Sequence, residues 1–136
     1  MKAVAAGVVG AAVLTVLHEM TRRRVRRAPR LDIGGMRVYL SGDTDLFGDM
    51  KMLGERYRPN VAFVCVGDGP FTMGPEDAAR ACQWMGVSQA IPVHYAHNPL
   101  VRGIEAGEDF RRALAQIAPG TGVTVMKPGD TRILAA

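Results

Sequence analysis

Six apolar residues in a row, Val61-Ala62-Phe63-Val64-Cys65-Val66, lie between Pro59-Asn60 and the Gly67-Asp68-Gly69 loop. The run shows no alternation of apolar and polar residues, which is the pattern of a strand covered on both faces rather than half exposed. It is therefore expected at the centre of a sheet, and a sheet buried on both sides needs further layers of structure around it. The chain has the material for this. At 136 residues, 48% hydrophobic and 22% charged, it lies in the range of one soluble globular domain with a single core, and disordered and collagen-like classes are excluded.

The segments around this run alternate between strand and helix patterns. Gly34-Gly35, between Arg30 to Ile33 and Met36 to Leu40, predicts a hairpin turn that needs positive φ. Leu46, Met50, Leu53 and Tyr57 recur at helical spacing, with Thr44 or Asp45 as N-cap, and Pro59 closes the expected amphipathic helix. Pro75-Glu76-Asp77 puts proline and acidic residues into a first helical turn, and that helix is expected to run to about Met85. Gln89 to Val93 reads as a short strand that Pro92 places at an edge or near a strand end. A third helix carries Phe110, Ala113, Leu114 and Ile117 on one face, and Val123 to Met126 and Thr131 to Leu134 are expected as two last strands around Lys127-Pro128-Gly129-Asp130. The expected fold is α/β, of layered type, in the order β-β-α-β-α-β-α-β-β.

Residues 1–30 have a different texture, and a boundary is expected near Pro29, with residues 31–136 forming one unit. Ala3 to Leu17 is a continuous Ala/Val/Gly/Leu stretch that reads as a signal-like region, a membrane segment or a buried helix. It stops short of the roughly 20 apolar residues of a spanning helix, and arginines rather than a small-residue cleavage site follow it. Spanning and export are both disfavoured, and the expected compartment is cytoplasmic. The net charge of +4 is more than supplied by Arg22, Arg23, Arg24, Arg26, Arg27 and Arg30. Without interleaved aromatics or a binding motif, that run reads as a solvated basic linker and not as a nucleic-acid site. The two cysteines, Cys65 and Cys82, sit in apolar segments as free thiols.

Two polar residues fall where a strand has just ended: Asp43 after Val38-Tyr39-Leu40, and His94 after Ala90-Ile91-Pro92-Val93. In layered α/β folds ligands gather at such ends, so both are expected to face one crevice. Each also has a plain explanation, an Asx-turn or helix cap for Asp43 and a structural role for His94. Glu76 and Asp77 are expected to face the helix macrodipole rather than to act as acid or base.

Three blocks in order, Tyr39-Leu40-Ser41-Gly42-Asp43-Thr44-Asp45-Leu46-Phe47-Gly48-Asp49-Met50, Phe71-Thr72-Met73-Gly74-Pro75-Glu76-Asp77-Ala78-Ala79 and Ile91-Pro92-Val93-His94-Tyr95, resemble the metallo-β-lactamase superfamily. More narrowly, the chain is similar to its uncharacterised metal-dependent hydrolase branch, whose relatives include a sugar-phosphate lactonase. The likeness covers about Leu31 to Pro128. It implies the C-terminal half of an αββα sandwich, and the N-terminal apolar helix expected before it lies outside the likeness. It also implies that Asp43 is the carboxylate bridging two divalent metal ions, zinc with manganese or iron as alternatives, and that His94 binds one of them. The implied activity is hydrolysis of a small ester, lactone or phosphate ester by metal-bound hydroxide. Thr44, Thr72, Gly74, Tyr95 and His97 are the expected pocket residues.

The family's His-x-His-x-Asp-His run is not in this sequence, whose histidines are His18, His94 and His97. Two ligands are fewer than the three of a catalytic zinc site, and half a sandwich leaves an apolar sheet face without its partner. Residues 3–17, self-association or a separate chain carrying the other half are the expected covers. The expectation is a truncated hydrolase domain, impaired as an isolated chain. The rival is a non-catalytic fragment or subunit that associates through its open sheet face, at a membrane surface through residues 3–17 and the arginines.

Overall fold

The computed structural model describes residues 32, 33, 35–97 and 99–134. The apolar segment, the arginine-rich linker and the boundary at Pro29 lie outside the described residues. Strand β1 (Asp32–Ile33) turns through Gly35, at φ +87°, into β2 (Met36–Leu40), and the two pair antiparallel with Ile33 opposite Met36. The hairpin is the one that Gly34-Gly35 predicts.

From β2 onward the chain repeats one unit, strand then helix then parallel strand. Helix α1 (Asp49–Tyr57) leads to β3 (Val61–Cys65), α2 (Pro75–Met85) to β4 (Gln89–Val93), and α3 (Glu105–Ile117) to β5 (Gly122–Val123). The sheet order β1-β2-β3-β4-β5 follows the sequence. Every parallel crossover moves one strand in the same direction, and right-handed crossovers then place all three helices on one face. α2 accordingly packs between α1 and α3. Ala62, Val64 and Ala90 turn into the helix-side core with Met50, Cys82, Phe110 and Leu114, while Val61, Phe63 and Ile91 point to the other face. That face is apolar as well, and β3 is buried at four of its five positions, as its unalternating composition predicts. Among the described residues one sheet is present, so the two-sheet packing of a full sandwich is not formed by them.

Local chemistry explains the element ends. Pro59 follows an α1 C-cap at Arg58 in the left-handed region, and Gly86 closes α2 in the same conformation, donating to the Cys82 and Gln83 carbonyls. Pro75 stands in the first turn of α2, where no intrahelical partner awaits its missing N–H. Pro92 is tolerated in an interior strand because β5 pairs only with Gln89 and Ala90, so no neighbour asks for an N–H at Pro92 on that side.

Three expectations are corrected. α1 starts at Asp49, three residues later than the first apolar position at Leu46, and neither Thr44 nor Asp45 caps it. The Asp45 carboxylate accepts from Leu46 N–H, the Thr44 hydroxyl donates to the Asp45 carbonyl, and the Thr44 carbonyl accepts from Met73 N–H. The first two bonds close a local turn, and the third ties Thr44 to the neighbouring loop, so none caps a helix. Thr131 to Leu134 forms no strand: the Lys127–Asp130 turn closes, with Asp130 N–H donating to Lys127, but the chain beyond it makes no ladder and Ile133 is 95% exposed. β5 itself spans Gly122–Val123, shorter than the expected Val123 to Met126.

Candidate functional site

β2, β3 and β4 run parallel, so their carboxyl ends share one edge of the sheet. Asp43 follows β2 and His94 follows β4 at that edge, on either side of the end of β3. The Asp43 Oδ1 and the His94 Nδ1 lie 3.3 Å apart. Their approach is not a hydrogen bond in direction, because Nδ1 is buried and has no hydrogen-bond partner. An ordinary charged N–H···O bond would be shorter, about 2.7–2.9 Å. Two ligands of one tetrahedral zinc, each at about 2.0–2.1 Å, sit roughly 3.3 Å from each other. An unpartnered imidazole nitrogen facing a carboxylate oxygen at that spacing therefore fits as one edge of a metal coordination sphere.

The chain holds His94 there under constraint. The β3–β4 ladder ends with Val66 N–H on the Val93 carbonyl, and His94 then adopts φ +57°. That conformation costs a non-glycine residue of order 1 kcal/mol or more and is found where surrounding contacts enforce it. The contacts are visible. A Cβ on Gly67 would lie 2.4 Å from the His94 carbonyl oxygen, so only glycine lets the two loops approach so closely. Arg102 N–H donates to the Gly67 carbonyl at 2.6 Å, Ala96 N–H donates to the Arg102 carbonyl at 2.8 Å, and the Arg102 guanidinium pairs with Asp109 on α3. Ala96 and Arg102 are thus fastened to each other, and Arg102 both to the neighbouring loop and to a helix.

The remaining expected site residues divide. His97 stacks on His94 with ring centroids 4.4 Å apart and planes 27° from parallel. A stacked ring presents its nitrogens beside those of His94 rather than converging with them on one point. Thr72 is buried, lines the cleft with Asp43 and His94, and accepts from Gly69 N–H at 3.1 Å. Gly74 stands at the head of α2, backed by the Asp68 carboxylate. Thr44 is spent on the loop bonds described above. Tyr95 turns away, its hydroxyl filling the space that a Cβ on Gly107 would need, and burial first and the Glu108 charge second push its hydroxyl above the ordinary phenol range. Among the described residues no third His, Cys, Asp or Glu joins Asp43 and His94 in a cluster able to hold a metal.

Asp43, Thr72 and His94 open onto a cleft of 230 Å³ whose walls are two loops, Gly69-Pro70-Phe71 on one side and Leu100-Val101 on the other. The Gly67 to Gly74 loop was expected to border the crevice, but not through the Phe71 side chain, and Leu100 was not expected in the site. The only hint was a large apolar residue in a Gly/Pro-rich loop, since a loop has no periodicity to give the position away. Larger cavities of 540 and 490 Å³ lie at the opposite, amino-terminal end of the strands, around Arg37, Asn60 and Ser88. Size favours those two, but the carboxyl edge is where parallel sheets bind ligands, and the constrained histidine is there.

No family profile matches the chain. Individual proteins do. A UPF0173 metal-dependent hydrolase of Geobacillus thermodenitrificans is 41% identical over 97 residues, covering 71% of this chain and 40% of that protein. One from Korarchaeum cryptofilum is 38% identical over 101 residues, covering 74% and 44%. Among solved structures, the metallo hydrolase Igni18 of Ignicoccus hospitalis aligns with a TM-score of 0.61 at 33% identity, over 71% of this chain and 40% of that one. The metallo-β-lactamase fold protein YhfI of Bacillus subtilis aligns with a TM-score of 0.56 at 14% identity, over 71% and 39%, which shows the fold. The chain spans about two-fifths of the length of the curated relatives it matches. Over the matched part it is a homologue of the UPF0173 metal-dependent hydrolases, built on the metallo-β-lactamase fold.

Proposed function

We propose that this chain carries part of a divalent-metal hydrolase site, with Asp43 and His94 as metal ligands and a small ester, lactone or phosphate ester as substrate. The supporting observation is the 3.3 Å approach of the Asp43 carboxylate to a buried imidazole nitrogen without a hydrogen-bond partner. A bound divalent cation supplies a Lewis acid and a means of deprotonating water near neutral pH. The chain's own residues do the holding. His94 offers the Nδ1 lone pair, which puts its proton on Nε2, and the stacked His97 ring restrains its plane. The Asp43 side chain is 59% exposed, which leaves it accessible to a second cation. Imidazole with carboxylate suits zinc first, with manganese or iron as alternatives. Catalytic zinc uses three protein ligands, so this reading assigns the rest to protein beyond the described residues, on a complementing half or a second copy of the chain.

Zinc loading of the purified chain followed by dialysis and metal analysis tests this. Asp43→Ala and His94→Ala are each expected to hold zinc at least about tenfold more weakly than the parent, since even partners behind the ligands are worth that much. Equal retention by all three proteins overturns the ligand assignment. The second reading, a non-catalytic subunit joining a partner through its sheet, is favoured by the lack of a third ligand among the described residues. Metal-free but folded parent protein would select it.

A further inference from the structure

We propose that the cleft beside Asp43 and His94 is a subsite for a short uncharged hydrocarbon group, so that the substrate is a carboxylic ester or lactone with an aliphatic or aryl substituent rather than a phosphorylated compound. This rests on the hydrolase reading and narrows it. Phe71 and Leu100 are each 71% exposed, yet Phe71 is not loose. It is followed by Thr72 and Met73, both buried, and its loop is closed by Asp68 N–H on the Met73 carbonyl, Thr72 N–H on the Gly69 carbonyl and Met73 N–H on the Thr44 carbonyl. A rigid turn holds an aromatic ring out at the mouth of the cleft.

The same bonds argue against an anion. Phosphate sites use Arg, Lys or free backbone N–H groups at helix starts. The N–H groups of Asp68, Gly69, Thr72 and Met73 are all committed within the protein. The helix start nearest the loop, that of α2, already faces Glu76 and Asp77, and Asp68 backs Gly74 before it. No Lys or Arg is among the described residues lining the cleft, whose one carboxylate is Asp43. At 230 Å³ the space is smaller than the roughly 300–1,000 Å³ that takes a whole ligand, so it fits one substituent of a substrate.

The test is a titration of the full chain with unreactive primary amides of increasing length, propionamide to heptanamide, and with glycerol 2-phosphate. It is followed by backbone amide NMR shifts of Gly69, Thr72 and Val101, with a chelator present. Affinity is expected to rise up to about threefold to fourfold per added methylene until the cleft is full, and glycerol 2-phosphate is expected to leave these amides unmoved. Phe71→Ser and Leu100→Ser, at exposed positions that the core does not need, are expected to flatten the length dependence. A flat series in the parent, a parental slope in both variants, or phosphate shifting the same amides at lower concentration than the amides do overturns the subsite. The chelator makes the readout independent of metal. A chain that retains zinc yet shows no slope loses only the subsite, and one that shows the slope without holding zinc loses only the ligand assignment.

Discussion

Gly67 and His94 meet at backbone distance, and the constraint on each explains the other. His94 sits in the left-handed region because its carbonyl is packed against Gly67 and its loop is drawn back by Arg102. Gly67→Ala would place a methyl group 2.4 Å from that carbonyl oxygen, which backbone movement alone relieves. A destabilisation of roughly 1–3 kcal/mol is expected, read from urea midpoints, together with amide shifts at Ala96 and Arg102 that report the displaced loop. Cys82 makes a second prediction at this scale. Burial pushes its thiol from 9.0 up to about 12, and burial raises the Tyr39 hydroxyl as well. Below pH 9 both folded and unfolded chains hold the Cys82 proton. Above it the unfolded chain releases first, so stability is expected to decline between about pH 9 and 12, by up to about 1.4 kcal/mol per pH unit for this group. Urea titrations across that window should show a shallower decline in Cys82→Ala, with the Tyr39 contribution remaining.

Among the elements, the α1–α2 contact is the one set by backbone rather than by side chains. A Cβ on Gly54 would lie 2.5 Å from Met85 Cα and 2.8 Å from two carbonyl oxygens, so the helices cross almost without side chains between them. Gly54→Ala in a free helix would add about 1 kcal/mol of stability from propensity. Here the overpacking cost of roughly 1–3 kcal/mol exceeds that gain, and thermal denaturation should show net loss. The helices themselves were legible, since Phe110 and Leu114 are buried at their expected spacing and Pro75 and Gly86 bound α2. The start of α1 was not, because the Thr44 and Asp45 side chains bond locally within residues 44–46 and the Thr44 carbonyl is taken by Met73 N–H, from a loop about thirty residues away in sequence.

At the scale of the whole molecule, a sheet whose strand order follows the sequence leaves its helices on one face and its carboxyl edge shared by the residues after β2, β3 and β4. The tail beyond Asp130 adds no strand, and a chain ending at Asp130 is expected to keep its unfolding midpoint to within about 0.5 kcal/mol. A larger loss would show that residues after Asp130 pack on the sheet. Among the described residues no helix is long and apolar enough to cross a membrane. What the sequence alone determined was local or periodic: the buried central strand from six unalternating apolar residues, the glycine hairpin, the helix faces, and two polar residues each ending a strand. The pairing of Asp43 with His94 at 3.3 Å, the departure of Tyr95 toward Gly107 and the apolar walls of Phe71 and Leu100 were decided only by tertiary structure. Those depend on which loops touch and on which backbone groups they occupy, and contacts between residues fifty positions apart leave no period in the chain to read.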